Sequence, residues 1–439
     1  MATFNFSGGI HPPELKNQTK DLSIKEFPVP EKVVIPLSQH TGAPAIPIVK
    51  KGDIVVAGQK IGESQGKISA NVHSSISGEV VDVIPYNHPL ISKPAPAIII
   101  KSDGKNSQIE IKKTYWDYYR YSTQDIIKVI QEAGIVGLGG AAFPTHVKLS
   151  PPKEKEIDTL LLNGCECEPC LTCDDRLMQE NPKEIIEGMK IIMFILNIHK
   201  GIVVIEDNKK NAIEAINKIV FLEPNISVKI VKTKYPQGAE KQLIKTVLNR
   251  EVPSGGLPFD VGVIVQNVGT SYAIYQAVVK GLPLTSRVIT VAGDFILNPG
   301  NYRVPIGTLA SDILSYCGYK PEEKPHKIIF GGPMMGISQG ILDVPILKGT
   351  SGIIVQESKN IQFFSEYDNC IHCGKCVDVC PMELMPNFLS YYAEHMLWEK
   401  CKEFFPNDCI ECGCCAYECP AKRPIVQHIK LAKFYLSKK

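Results

Sequence analysis

The chain has 439 residues with 48 Lys and Arg against 46 Asp and Glu, a net charge of +2, which favours neither a nucleic-acid partner nor an acidic substrate. This length is too great for one core and predicts several domains. Fifteen cysteines, an odd count, in a chain whose first residues lack the basic start and apolar run of a signal peptide, predict thiolate chemistry in a reducing compartment rather than a disulfide framework.

In chain order, residues 1–30 carry Gly8-Gly9-Ile10-His11-Pro12-Pro13-Glu14 and then Pro28 and Pro30, which predicts an extended arm. Residues 31–112 contain short β-branched runs broken by glycine: Val33–Ile35, Ile54–Val56, Gly78–Val83 and Ile98–Ile100. This pattern predicts an all-β module, and Lys51–Gln59 with Ser77–Val80 resembles a lipoyl-type sandwich. The tip near Ser69–Asn71 lacks the modified lysine of carrier domains, and with Lys67 only nearby the module reads as structural.

Residues 113–282 alternate helical periods with apolar runs at Thr159–Leu162, Gly201–Ile205 and Val261–Val265, the pattern of an α/β domain with a largely parallel sheet. Ile191–Ile198 is the longest apolar stretch and falls well short of the ~20 residues that span a bilayer. Three loops in this region look chemical. Gly137-Leu138-Gly139-Gly140, followed by Phe143 and Lys148, suits close backbone approach to a phosphate or flat ring, though a tight turn explains the glycines equally well. Asn163 through Arg176 follows a strand, where α/β folds bind ligands. Its cysteines 165, 167, 170 and 173 match no common metal spacing and read as small core residues. Tyr235–Lys241 pairs with Gln266–Thr270, where Asn267 and Thr270 offer donors to a phosphate.

Residues 283–357 read as two β-runs around a Pro-Gly turn, then a helix from Ser311 to Tyr316, a compact β-grasp. Gly331–Gly336 reads there as packing. Residues 358–439 hold the strongest signal, the run C-x2-C-x2-C-x3-C-P written twice, at Cys370–Pro381 and Cys409–Pro420. In this bacterial iron–sulfur pattern the fourth cysteine ligates the other cluster. It assigns Cys370, Cys373, Cys376 and Cys419 to one [4Fe–4S] cluster, and Cys409, Cys412, Cys415 and Cys380 to the second. Zinc needs four ligands per site and gives no reason for a crossed fourth cysteine with its proline. Cys414 breaks the spacing and stays outside the set. Leu384, Phe388, Leu389, Tyr392, Met396 and Leu397 between the two runs are helically spaced, predicting a helix-rich ferredoxin-like module.

Together the three loops resemble the NADH- and FMN-binding flavoprotein subunit of respiratory complex I. With the arm and the doubled cysteine run, the whole chain resembles the C subunits of the Rnf electron-transport complex. The resemblance implies a multidomain α/β protein: a barrel-sandwich module, a Rossmann-like FMN/NAD-binding domain, a soluble-ligand-binding β-grasp (SLBB) domain and a two-cluster ferredoxin-like domain. It implies that Gly137, Gly139, Gly140 and Lys148 cradle FMN with Asn163, Asn267 and Thr270, and that Phe143, Glu168 and Glu240 lie beside NAD(H). Cys165 and Ala239 stand where the complex I subunit has acidic residues, which loosens the nucleotide contacts more than the flavin. It also implies membrane-bound and iron–sulfur sister subunits, ferredoxin as an indirect partner, and a peripheral place on the cytoplasmic side of the membrane. A flavin joins a two-electron donor to one-electron clusters, so the reading is an NADH/ferredoxin oxidoreductase subunit of an ion-translocating complex. Two alternatives are a soluble reductase of the cobalamin-reductase kind, disfavoured by the arm and sandwich ahead of the glycine loop, and a flavin-less relay, disfavoured by the presence of Lys148, Asn163, Glu168 and Asn267.

Overall fold

The β-branched runs of the first hundred residues pair into two antiparallel sheets. The computed structural model describes residues 5–111, 113–321, 326–357 and 367–438, so the expected starts of the arm and of the ferredoxin-like segment lie outside the described residues. Lys32–Pro36, Ala95–Ser102, Gly78–Tyr86 and Ile54–Val55 form a four-stranded sheet, and Ile46–Pro47, Lys60–Glu63 and Val72–His73 a three-stranded one. Alternation turns Val33, Ile35, Ile98 and Ile100 into one core shared with Leu37, Ile61 and Val72. Each such fully buried aliphatic side chain contributes about 1.5–3 kcal/mol. The hairpin tip Ser69–Asn71 is buried against its neighbours, with Lys348 Nζ donating to Asn71 O at 2.6 Å, while Lys67 beside it is exposed.

Four parallel strands form the next sheet, in the order Ile226–Val231, Gly201–Glu206, Thr159–Gly164, Val263–Asn267. Helices Pro182–Leu196 and Val268–Lys280 cross closely where Gly188 meets Ser271; a Cβ on Gly188 would stand 1.9 Å from Ser271 O. The run expected to start a strand at Val261 does so only at Val263, because Pro258–Val261 is a 3-10 turn that ends on Gly262 at φ +75.

The third unit is a mixed six-stranded sheet in the order Ile24–Glu26, Gly300–Pro305, Ser286–Gly293, Gly352–Glu357, His326–Phe330, Ile337–Gln339, with helix Ala310–Tyr316 over its core. Its edge strand comes from the N-terminal arm, Ile24 pairing with Asn301 in parallel. The arm is therefore extended, and it is also sheet.

The described residues 367–438 contain helices and no strand. From Phe388 on, the helically spaced apolar residues between the cysteine runs fall on two helices, Pro386–Glu394 and Trp398–Lys402, and the turn between them. Met396 adopts φ 57 between them, a left-handed conformation that stops an α-helix. Leu389 alone of that stripe is fully buried, whereas Met396 is 72% exposed.

Candidate redox site

Strand order reverses between Thr159–Gly164 and Val263–Asn267, the position at which open α/β sheets bind ligands beyond the carboxyl ends of the strands. The two asparagines expected there, Asn163 and Asn267, are register partners on these adjacent strands. Asn267 caps helix Val268–Lys280, its Oδ1 accepting from Gly269 N at 2.8 Å and Thr270 N at 3.3 Å. Its Nδ2 donates to Asp174 Oδ2 at 2.6 Å. Leu138 N donates to Thr270 Oγ1 at 2.9 Å, which fastens the glycine loop to the start of that helix. Gly137 N closes the loop on Phe143 O at 2.8 Å, and a Cβ on Gly139 would meet Asn267 Cβ at 3.5 Å. Gly140 sits at φ +110, a conformation that favours glycine, with open space where a Cβ would be. Asn163 Nδ2 donates to Gly238 O at 2.8 Å, binding the second and third loops together. Lys148 ends the short helix Thr145–Lys148 and pairs with Glu240 at 2.5 Å. The pair is partly exposed, worth about 0–1 kcal/mol, so an incoming anion can displace the carboxylate at little cost. Thus the glycine loop with Gly137, Gly139 and Gly140 is fastened to Asn267 and Thr270 at the switch point, with Asn163 at the end of the neighbouring strand, Lys148 and Glu240 paired at the ends of two flanking helices, and Phe143 half-buried at the foot of the glycine loop.

The cysteines of the thiol-rich loop do not gather at one point, although Cys173 Sγ lies within 4.8 Å of carboxylate oxygens of Glu166 and Asp174. Cys165, Cys170 and Cys173 enter three different apolar clusters. The loop's acids do the polar work. Glu166 caps helix Cys173–Glu180 through Asp174 N at 2.8 Å and Asp175 N at 3.0 Å. Burial, reinforced by Glu166, pushes the Asp174 carboxyl up to about 7. Glu168 accepts from Met334 N at 3.0 Å and Met335 N at 2.9 Å. Burial nevertheless raises its carboxyl to about 7, because those donors offset only part of the desolvation. The Gly331–Gly336 loop, expected as packing, is therefore an oxyanion-type cradle for Glu168; Gly332 has no room for a Cβ, which would lie 2.2 Å from Glu168 Oε2. Tyr235 OH stands 3.4 Å from Glu168 Oε1 and donates to Cys412 O at 2.7 Å. It thereby joins the thiol-rich loop to the second cysteine run.

Two cavities lie among those runs. One is lined by Cys370, Cys373, Cys376 and Cys419, the other by Cys380, Cys409, Cys412 and Cys415. Both sets are the crossed sets expected from the spacing. The two halves repeat in backbone as well: His372 and Glu411, Gly374 and Gly413, Glu383 and Lys422 all take positive φ at matching positions. Backbone N–H groups already point at sulfur, Leu384 N at Cys380 Sγ and Glu411 N at Cys409 Sγ, both 3.4 Å, as suits thiolates in a cluster. Cys414 is buried outside both linings, its Sγ 3.9 Å from Tyr235 O.

Four family models match the chain in order. They are the RnfC barrel sandwich hybrid domain over residues 4–105, the Nuo51 FMN-binding domain over 130–276, the SLBB domain over 288–338 and the 4Fe-4S dicluster domain over 366–422. The C subunit of the proton-translocating ferredoxin:NAD(+) oxidoreductase complex of Clostridium ljungdahlii is 49% identical over 98% of this chain and 93% of its own length. This chain belongs to the Rnf C-subunit family. The corresponding protein of the Na(+)-translocating complex of Acetobacterium woodii is 45% identical over 98% of this chain and 96% of that protein. That of the ion-translocating oxidoreductase complex of Salmonella arizonae is 39% identical over 98% of this chain, which spans 63% of that longer relative. The family is thus one of FMN-binding and dicluster domains carried on a single chain, and no helix among the described residues is long and apolar enough to cross a membrane.

Sequence reasoning missed two cations that shape the site. Lys16, in the arm, is buried with its ammonium on three carbonyls of the thiol-rich loop. Arg287, also buried, donates to Leu138 O and Thr350 O, both at 3.2 Å, and so holds the glycine loop against the β-grasp sheet. Neither stands in a motif, and both partners lie over sixty residues away in sequence, so no local pattern marks them.

Proposed function

We propose that this chain is the NAD(H)-handling electron-transfer subunit of an Rnf-type ferredoxin:NAD+ oxidoreductase complex. It works as a peripheral subunit on the cytoplasmic side of the membrane, beside membrane-bound and iron–sulfur sister subunits that export ions and reach ferredoxin. The observation that carries this reading is Tyr235, which links the switch-point loops to the cavity lined by Cys380, Cys409, Cys412 and Cys415. FMN, when bound, takes up a hydride as an electron pair and releases electrons singly, and [4Fe–4S] clusters carry them one at a time.

The residues divide that work. Gly137, Gly139 and Gly140 let the backbone approach a flat ring, and the Asn267–Thr270 turn with Lys148 offers donors and charge for a phosphate. Asn163 holds the two flanking loops at one spacing. Phe143, Glu168 and Glu240 border the nucleotide, and burial raises the Glu168 carboxyl to about 7, where it can gain or lose a proton near neutral pH. Cys380, Cys409, Cys412 and Cys415 hold the inner cluster. Cys370, Cys373, Cys376 and Cys419 hold the outer one, where Cys373 is exposed and Ile371 is 65% exposed. The inner set would then lie between the nucleotide side and the outer set, and the outer set would face the partner, whichever way electrons pass.

Oxygen-free purification followed by iron and flavin assay tests the reading, together with Lys148→Ala. The wild type should hold about eight irons in two clusters and lose its yellow colour on NADH addition. The variant should lose flavin and keep its iron, since the two sites are built on separate elements. Iron without flavin in the wild type, or full flavin occupancy in the variant, would overturn it.

A further inference from the structure

The proline-rich arm and the thiol-rich loop are the two sequence features that the cofactor chemistry leaves unused, and they meet at one residue. Lys16 is 6% exposed. An ammonium has three N–H donors, and those of Lys16 go to Glu166 O at 2.8 Å, Glu168 O at 3.0 Å and Leu171 O at 2.5 Å. Three non-glycine residues at this junction are left-handed: Leu15 at φ 51, Glu166 at φ 45 and Cys170 at φ 67. Such conformations are uncommon for residues with a Cβ and persist only where surroundings over-determine them. The surroundings here are the arm. Besides Lys16, Glu14 O accepts from Cys170 N at 2.8 Å, and Thr19 Oγ1 accepts from Thr172 Oγ1 at 2.7 Å.

The curvature so imposed matters because of where it sends side chains. Residues 166 and 168 are the two whose carboxylates leave the loop, Glu166 onto the start of helix Cys173–Glu180 and Glu168 onto Met334 and Met335. A relaxed loop keeps neither aim. We infer that Lys16 is a positioning residue: its ammonium gathers the 166–171 carbonyls and so presents Glu168 to the Met334–Met335 amides at the nucleotide side of the site. The arm is then part of the redox site, although among the described residues no hydrogen bond joins it to those expected to hold FMN. The kinetic consequence rests on the function proposed above; the geometry of the loop does not.

The test separates the two. In the intact, cofactor-loaded wild type, acetic anhydride should modify Lys16 at least about tenfold more slowly than the exposed Lys20 and Lys25, since modification requires local opening. Labelling at their rate overturns the inference, and this measurement needs no variant to fold. In Lys16→Met, amide hydrogen exchange should accelerate about tenfold or more at Cys170, Met334 and Met335. The KM for NADH should rise while kcat with an artificial acceptor and iron content hold, and Lys16→Gln, which keeps two donors, should fall between. Unchanged exchange at those three amides overturns the role of Lys16. Faster exchange with an unaltered KM supports that role and counts against Glu168 at the nucleotide.

Discussion

The two cysteine cavities are built by the same repeated backbone, yet their surroundings differ throughout. Around the inner one the rest of the molecule closes in. Gly9 N donates to Val379 O at 2.9 Å, Gln242 Nε2 to Pro381 O at 2.8 Å and Tyr235 OH to Cys412 O at 2.7 Å. Gly8 lies so near that a Cβ would come 2.6 Å from Cys380 O. Around the outer one, Ile371, His372 and Cys373 face solvent. A duplicated motif supplies two equal binding sites, and the fold makes them unequal: one belongs to this chain's interior and one is offered outward. That asymmetry orders the two sites, one toward the rest of the chain and one toward solvent, without requiring any difference between the ligand sets.

Removing one ligand from each cavity is the severest way to break this comparison. Cys373→Ser and Cys412→Ser should each lower iron by roughly half, since each cluster draws on its own four thiolates. Their kinetics should diverge. With Cys373→Ser, NADH still reduces the inner cluster while transfer to a protein acceptor falls by about a hundredfold or more, the outer carrier being lost. With Cys412→Ser, NADH bleaches the flavin, and the outer cluster, though reducible by dithionite, stays oxidised. Freeze-quench electron paramagnetic resonance reads both; outer-cluster reduction by NADH at the wild-type rate in Cys412→Ser would abolish the inner and outer assignment.

The acids beside the two cavities predict opposite responses to pH. Glu168, on the inner side, has its carboxyl raised by burial from 4.5 to about 7. Its proton is retained in the fold and lost from the unfolded chain between those values. The stability it contributes is thus complete below pH 4.5 and disappears as pH rises to about 7, on the order of 3 kcal/mol. Glu394, on the outer side, also feels burial, but hydrogen bonds from Arg423 and Tyr367 outweigh it and hold its carboxyl below the usual range. Its contribution is present above the unfolded value and is lost as pH falls. Urea unfolding of Glu168→Gln against wild type should show the gap between them changing across pH 4.5–7; a constant gap contradicts the burial argument. Glu394→Gln should show its full loss of stability above pH 4.5 and a shrinking one as pH falls below it.

How much of this was legible in the sequence follows the same divide. The cysteine runs carry their geometry in their spacing, because three thiolates at two-residue gaps can face one cubane while the fourth, set off by a longer gap and a proline, reaches across to the other, and the same two sets of four line the two cavities. The parallel sheet was legible from its apolar runs, and Asn163 and Asn267 from their place at strand ends. Lys16, Arg287 and the Met334–Met335 amides were not. Each acts on a loop far along the chain through backbone carbonyls or N–H groups, which every residue type possesses, so neither composition nor spacing distinguishes the partner. The break between helices at Met396 was hidden for a similar reason: methionine is a good helix former, and its left-handed φ is imposed by the chain's turn toward Trp398.

The finest test bears on the single phenol that joins the two halves of the site. Tyr235→Phe keeps the ring in its buried place and removes one hydroxyl, so packing is preserved and only the bond to Cys412 O and the contact with Glu168 are lost. Cys412 O then loses a partner beside the buried Tyr235 ring, which costs about 1–3 kcal/mol. The effect should be confined to one side. The inner-cluster signal should shift in a redox titration and its reduction by NADH slow by a few fold, while the outer cluster, which no hydrogen bond connects to Tyr235 among the described residues, keeps its potential. Equal shifts in both clusters would mean that the helical domain responds as one electrostatic body, and that the flavin-side loops do not address the inner cavity separately.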